Sequence, residues 1–276
     1  MGVKIRKTFT YIIIIILTLT WLFPVLAIAI TSFKSPEEFT SQNFYELPSK
    51  ISFISNIKMA VEHWKLYEHF LNSLIYAVVG GGIAIITSSM AGFSLIRLKP
   101  RFNFPLFLII YSGTLFPFQM YLIPLYRLYN RIGLDDTKLG MILVYSALCV
   151  PFSLFVYRGF YTTIPKEIEE AAKLDGCGPL KLYTHIFLPQ SIAPTAVVAL
   201  FQMTWIWNDL LFGMVLTRTG AARPVMVSLA SMSGVSGGIM PYIMGGVIFT
   251  SIPTILLFAL LRKYFISGMA LSVAGE

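Results

Sequence analysis

The chain has 276 residues, of which 56% are hydrophobic and only 12% are charged, and its mean hydropathy is +0.74. A soluble domain of this size could not cover so much apolar side chain with polar surface, so the composition excludes an ordinary soluble protein. The formal net charge of +8 indicates membrane topology and not a nucleic-acid partner, because the basic residues gather at the ends of apolar segments.

Apolar segments with few or no charges recur along the chain, and each has about the 20 residues that a helix needs to cross the hydrocarbon of a bilayer. These six segments are residues 8–33, 70–96, 102–126, 139–157, 189–217 and 239–261. The predicted fold is therefore all-α, a polytopic membrane protein with six transmembrane helices in a single domain, residues 1–276.

Orientation is predicted from Lys and Arg, because short basic loops resist translocation. With both termini inside, the inner segments carry 12 of the 21 basic and 5 of the 13 acidic residues, which leaves 9 and 8 for the outer segments. The inner net charge is then +7 and the outer net charge +1. This asymmetry predicts that the N-terminus, the loop 158–188 and the tail 262–276 are cytoplasmic.

Between the spans, residues 34–69 mix prolines, asparagines and charges with apolar side chains and are predicted to form an ordered external segment. The second span contains Gly80, Gly92 and other small residues that let helices approach closely. The third span contains Pro117 and Pro124, and the fourth contains Pro151. These prolines are expected to kink the spans. Residues 218–240 are rich in Gly and Ser and are predicted to form a flexible outer loop.

Several chemistries have no support in the sequence. There is no Gly-rich phosphate loop with a Lys, so the chain itself is not expected to bind ATP. The histidines are too scattered for a metal site, and no catalytic arrangement can be read, so no cofactor and no enzyme activity are predicted. Asp209 is the single acid within a span, either a functional pore residue or a residue at the outer interface, and it lacks partners for a proton relay.

The loop between the fourth and fifth spans concentrates charge and predicts a helix-turn-helix. Pro165 suits the start of a helix, and Glu167, Glu169 and Glu170 fall in its first turns, where the dipole favours acids. Gly176 can provide the left-handed residue that ends a helix. A passive connector could be shorter, so the loop is interpreted as a docking element. Ala171 and Ala172 are helix formers with small side chains and are expected to keep its docking face flat.

This loop carries a family resemblance. Glu170-Ala171-Ala172, three residues, Gly176, nine residues and then Ile186-Phe187-Leu188-Pro189 resembles the signature loop of permeases of binding-protein-dependent ABC importers. The stretches "IPLYRLYNRIGLDDT", "WIWNDLL" and "RKYFISGMALSVAGE" are similar to the carbohydrate-uptake branch. The chain thus resembles the six-helix permease partner of maltose-type importers over nearly its whole length.

The resemblance implies a second, homologous permease subunit, two cytoplasmic ATPase subunits that bind ATP, an extracytoplasmic sugar-binding protein, and the cell membrane of a prokaryote. The loop around 170–176 would be the coupling helix that contacts the ATPase. The implied ATPase-coupling residues are Glu169, Glu170, Ala171, Ala172, Asp175, Gly176, Leu180 and Tyr183. The tail 272–276 lacks the terminal Lys-Gly of relatives, so its contacts stay open.

Substrate would cross where the two permeases meet, and sugar hydroxyls need hydrogen-bond partners there. The candidates are Asn72, Ser73, Gln119, Asn208 and Asp209. The alternative is an ion-coupled secondary carrier or channel. Transport by the purified chain with an ion gradient alone would favour it. A membrane-embedded enzyme is a further alternative. Neither accounts for the charged loop 167–189.

Overall fold

The computed structural model describes residues 2–43, 45–233 and 239–273, with side chains for 7–43, 45–233 and 239–264. Every described secondary-structure element is helical. The described chain divides into two compact units, residues 1–67 with 228–252 and residues 68–227 with 253–276. The structure is thus all-α, as predicted.

The helices follow the chain in the order α1 to α13. They are α1 (Gly2–Phe33), α2 (Pro36–Ser41), α3 (Phe53–Glu62), α4 (Leu66–Leu98), α5 (Asn103–Ser112), α6 (Gln119–Ile132), α7 (Lys138–Thr163), α8 (Lys166–Leu174), α9 (Pro179–Gln190), α10 (Ile192–Asn208), α11 (Leu211–Leu216), α12 (Val225–Met232) and α13 (Met240–Val273). Single π-helical turns interrupt α4 at Tyr76–Gly80 and Ser94–Leu98, and α9 at Tyr183–Phe187.

In the first unit, the segment between α1 and α4, predicted to be ordered and external, contains the helices α2 and α3. Ser35 caps α2, where it and Glu38 form a reciprocal capping box. The buried amide of Asn56 on α3 donates to the carbonyls of Ser32 and Lys34, both at 2.8 Å. These bonds hold α3 against the end of α1.

In the second unit, α4 and α7 pack closely along their length, and glycines on α4 make this possible. A Cβ on Gly92 would lie 3.1 Å from the Cβ of Tyr157, and one on Gly80 would lie 3.4 Å from the Cβ of Tyr145. The prediction that small residues of the second span permit close approach is confirmed. Buried tyrosines of α7, including Tyr145 and Tyr157, fill the space beside these glycines.

The predicted spans and the observed helices differ in continuity. Among the described residues, α1, α4, α7 and α13 are long and apolar enough to cross a membrane, and α9 with α10 would add one span bent by 72°. The predicted third span is divided, because residues 113–118 around Pro117 are not helical between α5 and α6. Pro124 and Pro151 instead lie inside continuous helices. The count of six spans stays a prediction.

The region 218–240 departs from the predicted flexible loop. Residues Val225–Met232 form helix α12, because this stretch lacks Gly and Pro and contains the good helix formers Met, Leu and Ala. The Gly-rich residues 234–238 lie outside the described residues. So do 274–276 at the end of the predicted tail, and the tail's predicted contacts are untested.

Candidate functional site

The loop between α7 and α10 forms the predicted helix-turn-helix, here named the α8–α9 hairpin (residues 165–190). The turn depends on Gly176, whose φ of +76° is the left-handed conformation predicted for it. Its amide donates to the carbonyl of Lys173 at 3.0 Å, and the amide of Cys177 donates to the carbonyl of Ala172 at 2.9 Å. This pair of bonds is the Schellman pattern that closes a helix.

A buried ion pair anchors the hairpin to α4. Glu169 faces inward, and its Oε2 accepts a bond of 3.2 Å from Nη1 of Arg97, whose side chain is only 5% exposed. Its Oε1 accepts from Nζ of Lys173 at 2.6 Å. Nη2 of Arg97 donates to the carbonyls of Tyr161 at 2.9 Å and Ile164 at 2.6 Å. One guanidinium therefore joins α4, the end of α7 and α8.

Apolar and aromatic side chains pack beneath the hairpin. The buried members of this cluster are Phe93, Tyr157, Tyr161, Ile164, Ala172, Leu182, Tyr183, Phe187 and Val198. The hydroxyl of Tyr183 also donates to Oγ of Ser89 at 3.0 Å. Glu169, Ala172 and Tyr183, three of the predicted coupling residues, thus face the interior. The interpretation of Ala172 as part of a flat docking face is corrected, because its spacing of three from Glu169 places both on the inner side of α8.

The opposite face of the hairpin is exposed. It includes the other five predicted coupling residues, Glu170, Ala171, Asp175, Gly176 and Leu180. It also presents Leu174, which is 90% exposed, beside Leu180, which is 70% exposed. The sequence reading missed Leu174, although apolar residues on both faces of a nine-residue helix could have revealed it. Exposed leucines among acids form a surface suited to a protein partner.

Asp209 is buried within the second unit, where its carboxylate accepts hydrogen bonds from a side chain and from the backbone. The hydroxyl of Tyr145 donates to its Oδ2 at 2.8 Å. The amide of Gly213 donates to the same oxygen at 3.0 Å, and the amide of Phe212 donates to Oδ1 at 3.4 Å. The carboxylate therefore caps α11 and fastens it to α7.

Asn72 and Ser73, predicted to line the pathway, are buried and already have protein partners. The amide of Asn72 donates to the carbonyls of Ala221 and Arg223, both at 3.1 Å. Oγ of Ser73 accepts from the amide of Val225 at 2.8 Å. Both side chains therefore hold the segment 218–225 against α4.

The same segment is fixed from the loop before α7. Oδ1 of Asp136 accepts from the amides of Arg218 at 2.9 Å and Thr219 at 3.1 Å. Burial raises the pKa of Asp136, but these hydrogen bonds outweigh it and leave the pKa below its ordinary value. The carboxylate therefore stays charged and keeps the loop closed.

Two clefts share Phe118 and Trp205 as walls. The first, of about 440 Å³, lies beside the break before α6 and is lined by Gln202. The second, of about 550 Å³, is lined by Asn208 and Asp209. Gln119, the fifth pathway candidate, is exposed and is not among the residues that line either cleft.

The sequence reading missed Gln202 and Trp205. Gln202 is 8% exposed, and its side chain has no hydrogen bond to another described residue. Its position three residues before Trp205 on α10 places both on one helix face, which was the available signal. No group of His, Cys, Asp and Glu side chains within the described part of the chain could hold a metal ion.

Comparison with known proteins agrees with this architecture. A family model described as "Binding-protein-dependent transport system inner membrane component" matches residues 80–266. The chain is 30% identical over 87% of its length to a melibiose/raffinose/stachyose import permease of Bacillus subtilis, covering 86% of that protein. It is 29% identical over 99% of its length to a glucose import system permease of Saccharolobus solfataricus, covering 96% of that protein.

A solved structure shares the fold. It is a chain of a bacterial ABC transporter involved in the import of the acidic polysaccharide alginate, with a TM-score of 0.82 and 22% identity. The match covers 95% of the present chain and 97% of the other. The family match, which includes the hairpin, both clefts and most of α13, shows that the chain belongs to the binding-protein-dependent inner-membrane permeases of ABC transporters.

Proposed function

We propose that the chain is the permease subunit of a sugar ABC importer and forms half of the translocation pathway with a second, related permease. The relatives that import melibiose, raffinose, stachyose or glucose support a sugar or oligosaccharide as the solute. An extracytoplasmic binding protein delivers it, in keeping with the family. Two ATPase subunits on the cytoplasmic side bind and hydrolyse ATP, and this chain performs no catalysis.

The observation that carries the proposal is the two-faced α8–α9 hairpin. Its inner face is fixed by Glu169, Ala172 and Tyr183, so the hairpin moves as a body with the spans. Its outer face presents Ala171 and Leu174 to the ATPase, together with the exposed residues Glu170, Asp175, Gly176 and Leu180. A hairpin held rigidly against the spans can transmit movement of the ATPase to them. A passive connector needs neither this rigid attachment nor an exposed docking face.

In the proposed cycle, the ATPase subunits close on nucleotide and carry their hairpins with them. The spans of the two permeases then rock between inward-open and outward-open states around the solute. The break at 113–118 supplies a flexible point beside the clefts, because its backbone lacks a continuous helical ladder. Solute passage requires this rearrangement, so transport depends on the hairpin and not on an ion gradient.

We revise the proposed pathway residues in view of their hydrogen bonds. Asn72 and Ser73 hold the segment 218–225, and Asp209 caps α11. Asn208 remains a residue that lines the second cleft. We place Gln202, Trp205 and Phe118 beside the solute, because an aromatic ring offers a flat apolar face for the C–H groups of a sugar. The free amide of Gln202 donates and accepts, which matches neighbouring hydroxyls.

Reconstitution with the partner permease, the ATPase and the binding protein in liposomes tests the function. We expect ATP-dependent uptake of at least one of melibiose, raffinose, stachyose and glucose, and none driven by a proton or sodium gradient alone. Uptake by the purified chain with an ion gradient would show a secondary carrier instead. Uptake of none of the four sugars, with ATPase stimulated by the binding protein, would contradict the proposed solute class.

Two substitutions on neighbouring alanines test the docking face. Ala171→Trp places a large side chain on the exposed face and should release the ATPase from an otherwise folded permease. Ala172→Trp overpacks the buried cluster and should reduce thermal stability instead. ATPase retention is measured by co-purification. Equal retention in Ala171→Trp and wild type would show that the outer face of the hairpin is not the docking surface.

A further inference from the structure

Arg97 contacts more elements of the second unit than its place at the end of one span requires. Its guanidinium donates to Glu169 on α8, to the carbonyl of Tyr161 in the last turn of α7 and to that of Ile164 directly after it. It also lies over the Phe187 ring of α9, 5.0 Å from the ring centroid. The side chain is only 5% exposed and contacts α7, α8 and α9. It therefore connects these helices to α4, and this connection is here called the joint.

The local sequence explains why a donor is needed at this point. In a continuing helix the carbonyl of Tyr161 would accept from the amide four residues later, but that residue is Pro165, which has no N–H. Nη2 of Arg97 supplies the missing donor at 2.9 Å. Arg97 therefore completes the end of α7 while it holds α8 through Glu169.

The covalent route from α4 does not provide such a joint. Lys99, directly after α4, has a left-handed φ of +44°, and the chain then turns away through exposed residues into α5. The hairpin is joined by chain to α7 and α10. Within the second unit, α9 also contacts α4, through the Tyr183 hydroxyl on Ser89 and the Phe187 ring on Phe93. The Arg97 guanidinium is the side chain of α4 that reaches α8 through Glu169.

We infer that Arg97 is a positioning residue that transmits movement of the α8–α9 hairpin to span α4. This inference rests on the proposed docking of the hairpin to an ATPase and assigns the route by which α4 follows it. The planar guanidinium reaches a carboxylate and two carbonyls at once, which a lysine ammonium on a single flexible stem cannot reproduce. Arg97→Lys should therefore keep the charge opposite Glu169 and lose the joint.

The test uses spin labels in the reconstituted complex, in a background with Cys149 and Cys177 replaced by alanine. One label at the exposed position 184, outside the proposed docking face, reports on the hairpin, and another at the exposed position 78 reports on α4. In the wild type, ATP with vanadate should change both spectra. In Arg97→Lys, the change at 184 should persist while the change at 78 falls at least several-fold.

Matched controls separate transmission from folding. Lys173→Gln removes the other cation on Glu169, but that pair lies within α8 alone, so both spectral changes should persist. Arg97→Gln keeps amide donors without charge and should lose the response at 78 as Arg97→Lys does. Thermal stability and co-purified ATPase are measured for every variant.

The outcomes are distinct. An unchanged response at position 78 in both Arg97 variants would overturn the inference. Loss of ATPase binding in both variants would also overturn it, because Arg97 would then shape the docking face itself. A wild-type complex whose hairpin label does not respond to ATP and vanadate would instead contradict the proposed function. Loss of the response at 78 with the response at 184 retained supports the inference.

Discussion

Two glycines flank the turn between α8 and α9 but differ in backbone conformation. Gly176 has a φ of +76°, whereas Gly178 has a φ of −71°, which any residue adopts. An added Cβ would meet no atom within 4 Å at either position. Only the backbone conformation therefore distinguishes the two positions, and they form a matched pair.

We predict that Gly176→Val destabilises the hairpin and Gly178→Val does not. The left-handed conformation costs a residue with a Cβ about 1–2 kcal/mol, and β-branching adds to the strain. Gly176→Val should weaken ATPase association or lower the uptake per ATP hydrolysed, with the spans still inserted. Equal ATPase retention and uptake in the two variants would show that the turn does not set the geometry of docking.

Asp209 gives a second prediction at the residue scale. In Asp209→Asn the remaining side-chain oxygen can take the place of Oδ2 and still accept from the hydroxyl of Tyr145 and the amide of Gly213, so only the bond of 3.4 Å from the amide of Phe212 is lost. Uptake should therefore remain substantial and should keep the pH dependence of the wild type. Asp209→Ala loses the cap, at about 1 kcal/mol, and should be less stable. Complete loss of uptake in a well-assembled Asp209→Asn complex would indicate that the charge itself is needed.

At the scale of elements, the packing of α4 on α7 gives a prediction with an internal control. Gly92→Val would force a side chain against Tyr157 and the backbone of Arg158, 3.3 Å from the added Cβ, and overpacking of this kind costs about 1–3 kcal/mol. Gly82, on the same helix, has no atom within 4 Å of an added Cβ.

The melting temperature of the detergent-solubilised chain checks this comparison. It should fall clearly in Gly92→Val and change little in Gly82→Val. A similar fall in both variants would mean that helix propensity, and not the contact between α4 and α7, explains the need for glycine.

The sequence indicated these elements unevenly. Hydropathy predicts that α4 and α7 are spans, because a long apolar run has few alternatives to a helix in a bilayer. The turn at Gly176 was also predictable, since the glycine, the acids before it and Pro179 all act locally. The break at 113–118 was not, because a proline within an apolar run predicts a kink without its size.

The candidate sites show the same limit at longer range. Asn72 and Ser73 bond to a segment about 150 residues away in the chain, and no local pattern reveals such a partner. Ala171 and Ala172 are neighbours of similar chemistry, and only the packing of the hairpin shows which one is buried. Residue type predicted the hairpin's existence, whereas tertiary contacts decided its faces.

For the whole molecule, the distribution of charge predicts how the chain lies in the membrane. Lys and Arg near the ends of spans resist translocation more strongly than acids promote it. The inner set of 12 basic residues among 21 includes Arg97 and Lys173, which the structure places in one ion-pair network around Glu169. The predicted inner side is therefore also the side on which the hairpin is anchored.

We predict that the hairpin is cytoplasmic and the segment 34–69 is external. In a background with Cys149 and Cys177 replaced, Lys50→Cys should react with a membrane-impermeant maleimide in intact cells. Glu170→Cys should react only after the membrane is permeabilised. Both positions are exposed on the chain, so their different reactivity would report sidedness and not burial. Reaction of position 170 from outside would invert the topology, and the ATPase, which lies where ATP is, could then not reach the hairpin.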